Sequence, residues 1–410
     1  MRHRAQHAPL TQFPVRDDAL LIGGITVAAL VDRVGRTPCY AYDARAIADR
    51  VSQLRAALPR AISIHYAIKA NPMPEVVKLL AEQVDGLDVA SAGELELALA
   101  SAAAADNISF AGPGKTDAEL RRAIEAGITL NVESRGELRR AAAVGATIGI
   151  APRVAIRVNP DFALKSSGMQ MGGGPKAFGV DAEAVPDLLR GPEMTDVHFR
   201  GLHIYGGSQN LQAEHLIAAY RATFELAYRL ADDAPSAIET LNIGGGFGIP
   251  YFPGELPLDI RRVGDALADQ LPRCRERLGP VEVIIELGRF LVGEAGIYVC
   301  RVIDKKVSRG QTYLVTNGGL HHHLAASGNF GQVIRKNYPL VTAHRVAGLP
   351  RETVNVVGPL CTPLDVLGER IELGMAEVGD IIAVLQSGAY GYSASPLAFL
   401  GHPPPAQILV

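Results

Sequence analysis

Lys69 is the residue around which chemistry in this chain is most readily organised. It ends the alternating run Ile62-Ser63-Ile64-His65-Tyr66-Ala67-Ile68, whose period of two and β-branched and aromatic content predict a strand. Asn71-Pro72 forces a turn behind it, before a helical stretch that begins at Pro74. A desolvated lysine in such a place loses its proton readily enough to hold an aldehyde cofactor as a Schiff base. Taken alone, these residues fit a solvated lysine at a strand end better, so the decision rests with the rest of the chain.

Other residues at comparable places are chemically suggestive. Gly244-Gly245-Gly246-Phe247-Gly248 follows an apolar run. Glycines there let the backbone approach a phosphate and turn N–H groups toward it, although a plain tight turn has the same composition. Gly288-Arg289 closes the run 281–287 and adds a charge-assisted contact for a phosphate. Glu286 is the informative acid. If the ligand is pyridoxal phosphate, a carboxylate facing the pyridine nitrogen keeps that nitrogen protonated and makes the ring an electron sink for a carbanion at Cα. An arginine in that role suits racemisation, and a pairing of Glu286 with Arg289 is the structural alternative. His321-His322-His323 cannot easily face one ion and has no carboxylate or cysteine at ligand spacing. No metal is expected, and the three histidines read as a polar loop near the substrate.

The elements that must position these residues form a regular series. Strand-like runs at 62–69, 86–91, 108–113, 128–134, 153–160, 199–205, 239–245 and 281–288 alternate with helical patterns, as parallel strands with crossover helices require. Eight such units fit a (β/α)8 barrel, whose active site lies at the C-terminal strand ends. Those ends carry Lys69, Asp88, Glu133, Arg157 with Asn159, His203 with Tyr205, Gly244–Gly246, and Glu286 with Arg289. Ser91, Thr116 and Ser134 each precede a glutamate by three residues, the spacing of a capping box. After residue 296 the helical pattern fades and strands are expected at 297–307, 311–316, 353–357 and 380–385. The expected organisation is N-terminal strands in 1–43, an α/β barrel over 44–295, and a mostly-β domain over 296–410 that the N-terminal strands complete. From Leu21 to Tyr42, runs broken by glycines and Pro38 read as strands.

Composition excludes several classes. Forty basic and 43 acidic residues in 410 leave a net charge of −3 without a charge run, which argues against a nucleic-acid surface. No apolar run approaches membrane-spanning length. The N-terminal residues 1–7 have no apolar segment behind their charges, so no signal peptide is expected. The four cysteines lie far apart and suit a reducing compartment. A soluble cytoplasmic protein is the expectation.

With these residues in place, the chain resembles the fold-type III pyridoxal-phosphate decarboxylases, the family of diaminopimelate, ornithine and arginine decarboxylases, over about residues 25–410. Tyr66-Ala67-Ile68-Lys69-Ala70-Asn71 is similar to the cofactor-lysine motif, which implies that Lys69 carries the cofactor. The segment 201–209 resembles the one whose serine, here Ser208, binds the phosphate, and Gly244, Gly245 and Gly246 resemble the phosphate glycines. Glu286-Leu287-Gly288-Arg289 resembles Glu-Pro-Gly-Arg, which implies Glu286 on the ring nitrogen and Arg289 near phosphate or substrate carboxylate. Gly358-Pro359-Leu360-Cys361 resembles the motif whose cysteine donates a proton from the partner subunit, and Gly388-Ala389-Tyr390 carries a tyrosine that contacts phosphate. The resemblance further implies cofactor contacts from Asp88, Arg157, Tyr205 and Gly288, substrate contacts from Arg289, Thr362, His322 and Tyr390, and a homodimer with shared sites.

The departures bear on substrate. Tyr205 stands where the family has a histidine stacked on the ring. Thr362 follows Cys361 where ornithine decarboxylases carry aspartate and diaminopimelate decarboxylases glutamate. A buried ammonium needs a charged partner, so a free diamino acid is poorly served. The stretch 317–338 also lacks the Arg-Pro-x-Leu-Tyr pattern that grips a distal carboxylate. These features resemble the exosortase-associated subgroup and decarboxylases of aminoacyl groups tethered to a carrier protein. The expected function is α-decarboxylation of an amino acid or aminoacyl substrate. The alternatives are a diaminopimelate decarboxylase of lysine biosynthesis, an amino-acid racemase, and a non-catalytic homologue that binds a protein partner.

Overall fold

The computed structural model describes residues 6–164, 169–170, 172–332 and 334–410; most of the N-terminal stretch read for a signal peptide, residues 1–5, lies outside them. The chain forms two compact units. One is Arg50–Ile249 with Leu258–Gly288, and the other is Met1–Asp49 with Pro250–Pro257 and Arg289–Val410. No described helix is long and apolar enough to cross a membrane.

The first unit is the expected barrel. Its strands are β1 (Ile62–Ala67), β2 (Gly86–Val89), β3 (Ile108–Phe110), β4 (Thr129–Val132), β5 (Arg153–Asn159), β6 (His198–Ile204), β7 (Thr240–Asn242) and β8 (Glu282–Leu287). Each pairs in parallel with the next, and β8 pairs in parallel with β1, which closes the sheet. Closure leaves no free edge. Helices fill the connections, and their starts follow local chemistry. Thr116 and Glu119 form the full reciprocal capping box. The other two sites keep only half of it. Ser91 and Ser134 accept the N–H of Glu94 and Glu137, but those glutamates reach outward, to the N–H of Ala90 and Glu133.

The barrel interior is unusually polar. Alternation along β1 sets Ile62, Ile64 and Tyr66 on the face opposite His65. His65 Nδ1 lies 3.3 Å from Asp88 Oδ1, Ser109 Oγ donates to that same oxygen at 2.6 Å, and Asn131 Nδ2 donates to Ser109 Oγ at 2.9 Å. One residue from each of β1 to β4 thus builds a hydrogen-bonded belt, which meets the cost of burying these groups. Burial pushes the His65 imidazole down, but the carboxylates of Asp88, Glu282 and Glu286 together outweigh it and the net shift is upward. Above β4, Lys115 donates to Glu137 at 2.6 Å and to the carbonyls of Gly112 and Asn131 at 2.8 Å, with both side chains buried.

The second unit is the expected mostly-β domain. Its spine is the strand Gly296–Ser308. Cys39–Tyr42 and Ile381–Val384 pair antiparallel with its first part, and Gln311–Thr316 with its second. The N-terminal strand therefore completes this sheet, and Ala406–Leu409 adds to its outer edge in parallel. Strands at Leu340–Thr342, Val366–Gly374 and Ala406–Leu409 join it beyond those expected.

Two expectations need correction. Val27–Val34 is a helix where strands were expected. Thr26 caps it, Gly35 ends it at φ +79, and Val27, Leu30 and Val31 form its buried stripe. The spacing of that stripe outweighs the β preference of its valines. His321, His322 and His323 are buried rather than a polar loop. His322 Nε2 lies 3.0 Å from the Pro403 carbonyl and His323 Nε2 2.9 Å from Ser387 Oγ, and the His321 ring packs at a tilt of 41° against His322, with centroids 3.7 Å apart. A neutral imidazole is readily buried when its nitrogens are matched or its ring is packed, which hydropathy alone does not register.

These placements predict two stability effects. Glu137→Ala leaves the Lys115 ammonium buried without its carboxylate and is expected to cost about 3–5 kcal/mol. The double change Lys115→Met with Glu137→Leu is expected to recover most of that in urea unfolding; equal losses would contradict it. Burial lowers the three histidines from 6.5 to about 3, 4 and 3 for His321, His322 and His323. The unfolded chain therefore binds protons first, and stability that is complete above about pH 7 is lost as pH falls from there toward 3. His321→Phe should flatten the fall in melting temperature between pH 7 and 5, and an unchanged slope would count against this account.

Candidate active site

The C-terminal ends of the barrel strands gather most of the expected residues. Lys69 lies in the single turn Ile68–Ala70 that follows β1. Gly288, at the end of β8, packs against that turn, because a Cβ there would sit 2.9 Å from the Ala70 methyl. The Lys69 Nζ stands 5.9 Å from the centre of the Tyr205 ring. Tyr205 in turn lies against Gly244, where an added Cβ would come within 2.7 Å of its ring.

The glycine turn is one that only glycine can form. Gly244 and Gly246 take φ of +70 and +98, and a Cβ at Gly245 would overlap the Glu286 carbonyl. Ser208 lies in the two-residue strand Gly207–Ser208, whose Gly207 carbonyl faces Gly246 closely enough that a Cβ there would come within 2.9 Å. Two residues on, Asn210 donates its N–H to the Gly246 carbonyl at 2.9 Å and accepts from Gly248 N–H at 2.9 Å. Tyr220 Oη donates to the Gly245 carbonyl at 2.5 Å and fixes the turn from the helix side.

Glu286 is buried beside this turn. Asn242 Nδ2 donates to its Oε2 at 3.2 Å. His203 Nε2 lies 3.1 Å from the same oxygen, an ion-pair distance without the alignment of a hydrogen bond. Burial pushes the Glu286 carboxyl up, but His203, Lys69 and Arg157 together outweigh it and hold it well below the usual carboxylate range. Arg157 is fixed by a buried pair with Glu133 at 2.7 Å and by the Phe178 ring at 5.1 Å. Asp88 keeps one buried carboxylate oxygen, Oδ2, without a partner among the described residues.

The other expected residues belong to the second unit. Arg289 donates to Tyr251 Oη at 3.0 Å, and its guanidinium lies 4.7 Å from the centre of the Tyr390 ring. Burial lowers the Arg289 affinity for its proton, yet Tyr251, Tyr390 and Tyr338 outweigh it. Cys361 is an exposed free thiol. Thr362 Oγ1 accepts the N–H of Leu364 at 3.3 Å, so its hydroxyl closes its own turn. His322 is buried with its ring engaged, as described above.

Sequence reasoning missed three residues. His203 stood among the strand ends without a role. Asn242 is the last residue of β7, where an asparagine carries no motif. Asp365 accepts from Leu320 N–H at 2.6 Å and Leu360 N–H at 2.8 Å, and so ties the Cys361 turn to the start of the histidine stretch. Only the short spacing from Cys361 to Asp365 hinted at it.

The arrangement fits pyridoxal phosphate. A side-chain-free turn presents backbone N–H groups, a lysine stands beside an aromatic ring, and a buried carboxylate is kept ionised nearby. The unmatched Asp88 oxygen adds an acceptor. This donor set has a place for an aldehyde, a phosphate and a pyridinium.

Comparisons with known proteins agree. The family model of the pyridoxal-dependent decarboxylase, pyridoxal binding domain, matches residues 44–293. The chain is 39% identical over 391 residues to the L-glutamyl-[BtrI acyl-carrier protein] decarboxylase of Niallia circulans, covering 93% of this chain and 90% of that one. It is 33% identical to the diaminopimelate decarboxylase of Aquifex aeolicus, covering 96% and 91%. The crystal structure of diaminopimelate decarboxylase from M. jannaschii in complex with L-lysine superposes with a TM-score of 0.86 at 27% identity, covering 97% and 92%. With a barrel that carries a lysine, a glycine turn and an ionised glutamate at its strand ends, this chain belongs to the pyridoxal-phosphate-dependent decarboxylases.

Proposed function

We propose that this enzyme removes the α-carboxylate of an aminoacyl group tethered to a carrier protein, rather than that of a free diamino acid. The observation that carries this reading is Thr362. It offers no charge beside Cys361, and its hydroxyl is already committed to the Leu364 N–H. A terminal ammonium would be left unpaired there. The Niallia circulans relative, named for a carrier-bound glutamyl group, supports the same reading. So do the departures at 317–338, on which we also place the chain with the exosortase-associated subgroup.

When bound, pyridoxal phosphate supplies the electron sink that takes up the pair left at Cα as carbon dioxide departs. Lys69 would hold the cofactor through its side-chain amine. The turn Gly244–Gly246 binds phosphate through the backbone N–H groups of Gly245 and Gly246, with Ser208, while the Gly244 N–H is held by Asn242 Oδ1. Arg289 and Tyr390 contribute charge and a hydroxyl toward the phosphate. Glu286 holds negative charge for the ring nitrogen, a role its depressed proton affinity supports. Asp88, Arg157, Tyr205 and Gly288 complete the cofactor contacts. Decarboxylation consumes one proton, and we assign its delivery to the Cys361 thiol. The enzyme is read as a homodimer in which each Cys361 serves the partner's site. The four free cysteines support a reducing, cytoplasmic setting.

Carbon dioxide release tests the substrate. Activity is expected on a carrier-bound glutamyl or similar group and not on free diaminopimelate, ornithine, lysine or arginine. Turnover of free diaminopimelate at ordinary rates would overturn the reading of Thr362. Subunit mixing tests the shared sites. Lys69→Ala and Cys361→Ala are each expected to be nearly inactive, and mixing them after dissociation should restore up to about a quarter of wild-type activity, since half the dimers are mixed and each holds one intact site. No recovery from verified mixed dimers would contradict the sharing.

A further inference from the structure

Asn242 sits on β7 with its buried side chain between two parts of the cofactor cradle. Its Oδ1 accepts the Gly244 N–H at 2.8 Å, and its Nδ2 donates to Glu286 Oε2 at 3.2 Å. The third side is main chain, with Glu286 N–H donating to the Gly244 carbonyl at 3.0 Å. The three residues thus close a ring of hydrogen bonds. An amide suits this place because it must accept on one side and donate on the other. Those two partners also fix which way round it lies.

We propose that Asn242 is a positioning residue that couples the glycine turn to Glu286, so that one side chain sets both phosphate affinity and the charge offered to the cofactor ring. The inference rests on reading Gly244–Gly246 and Glu286 as cofactor contacts. Each half of the amide has its own physical task. The Gly244 N–H heads a turn at φ +70 and would be buried without a partner if Oδ1 were removed, leaving the turn less well held. The Nδ2 donor favours the ionised form of a carboxyl that burial otherwise disfavours. His203 on β6, Arg157 on β5, Lys69 and His65 from β1, and Tyr220 from the helix Ala213–Ala231 also bear on Glu286. All of them stay unchanged when Asn242 alone is altered.

The two tasks separate in one isosteric change. Asn242→Asp keeps an acceptor for Gly244 but sets a second carboxylate against Glu286, and like charges at that spacing force one of the pair to take a proton. Asn242→Ala removes both contacts. The test uses the full-length protein loaded with pyridoxal phosphate and reads two quantities: cofactor dissociation constant, and bound-cofactor absorbance as a function of pH. Asn242→Asp should keep affinity within about twofold while the pH of the spectral change moves up by about one unit or more. Asn242→Ala should weaken affinity by about tenfold. Glu286→Gln is the control and should abolish that titration. If Glu286→Gln leaves the spectrum like wild type, Glu286 does not serve the ring and the coupling falls with that reading. If Glu286→Gln alters the spectrum while Asn242→Asp matches wild type at every pH, the coupling alone is wrong.

Discussion

A carboxylate buried in a barrel stays ionised only when positive charge and donors surround it, and much of this barrel is arranged around that demand at Glu286. Desolvation alone would favour the neutral acid. His203, Lys69 and Arg157 reverse the balance, and each of them then needs support of its own. Arg157 is anchored by Glu133, which also accepts the N–H of Gly112 at 2.6 Å and of Gly179 at 3.1 Å. Glu133 in turn donates its own N–H to Glu137, the partner of Lys115. One buried charge at the strand ends thus propagates outward as a chain of matched polar groups. An apolar barrel core would be simpler to pack but could not hold that charge.

The second unit treats its charge differently. Arg289 is held by aromatic faces and a phenol rather than by a carboxylate. Such a guanidinium keeps its full positive charge for an outside anion, since no counter-ion within these contacts neutralises it. In the same unit Asp365 uses its carboxylate to gather backbone N–H groups from two loops, which orders the turn that carries Cys361 and Thr362.

The eight barrel strands were legible because alternation and spacing are local properties, and the observed ends differ from the expected ones by only a few residues. The helix Val27–Val34 was less legible, since its valines favour strand locally while its buried stripe depends on the sheet beneath. The motif residues Lys69, Gly244–Gly246 and Glu286 were readable because the backbone or the chemistry demands those types. Asn242 and His203 were not, because the Glu286 carboxylate that both of them face lies on another strand and nothing in the sequence beside them announces it. The burial of His321–His323 was hidden for the same reason: Tyr298, Ser387 and Pro403, which surround them, are distant in sequence.

Substrate choice is the part of the account that depends most on a single side chain, whereas the chemistry depends on where the cofactor is attached. Reduction of the cofactor-loaded protein with borohydride, followed by peptide mapping, tests that attachment directly. The account predicts one pyridoxyl group per chain, on the peptide that contains Lys69. A label on any other lysine, or none on a protein that has bound cofactor, would contradict it.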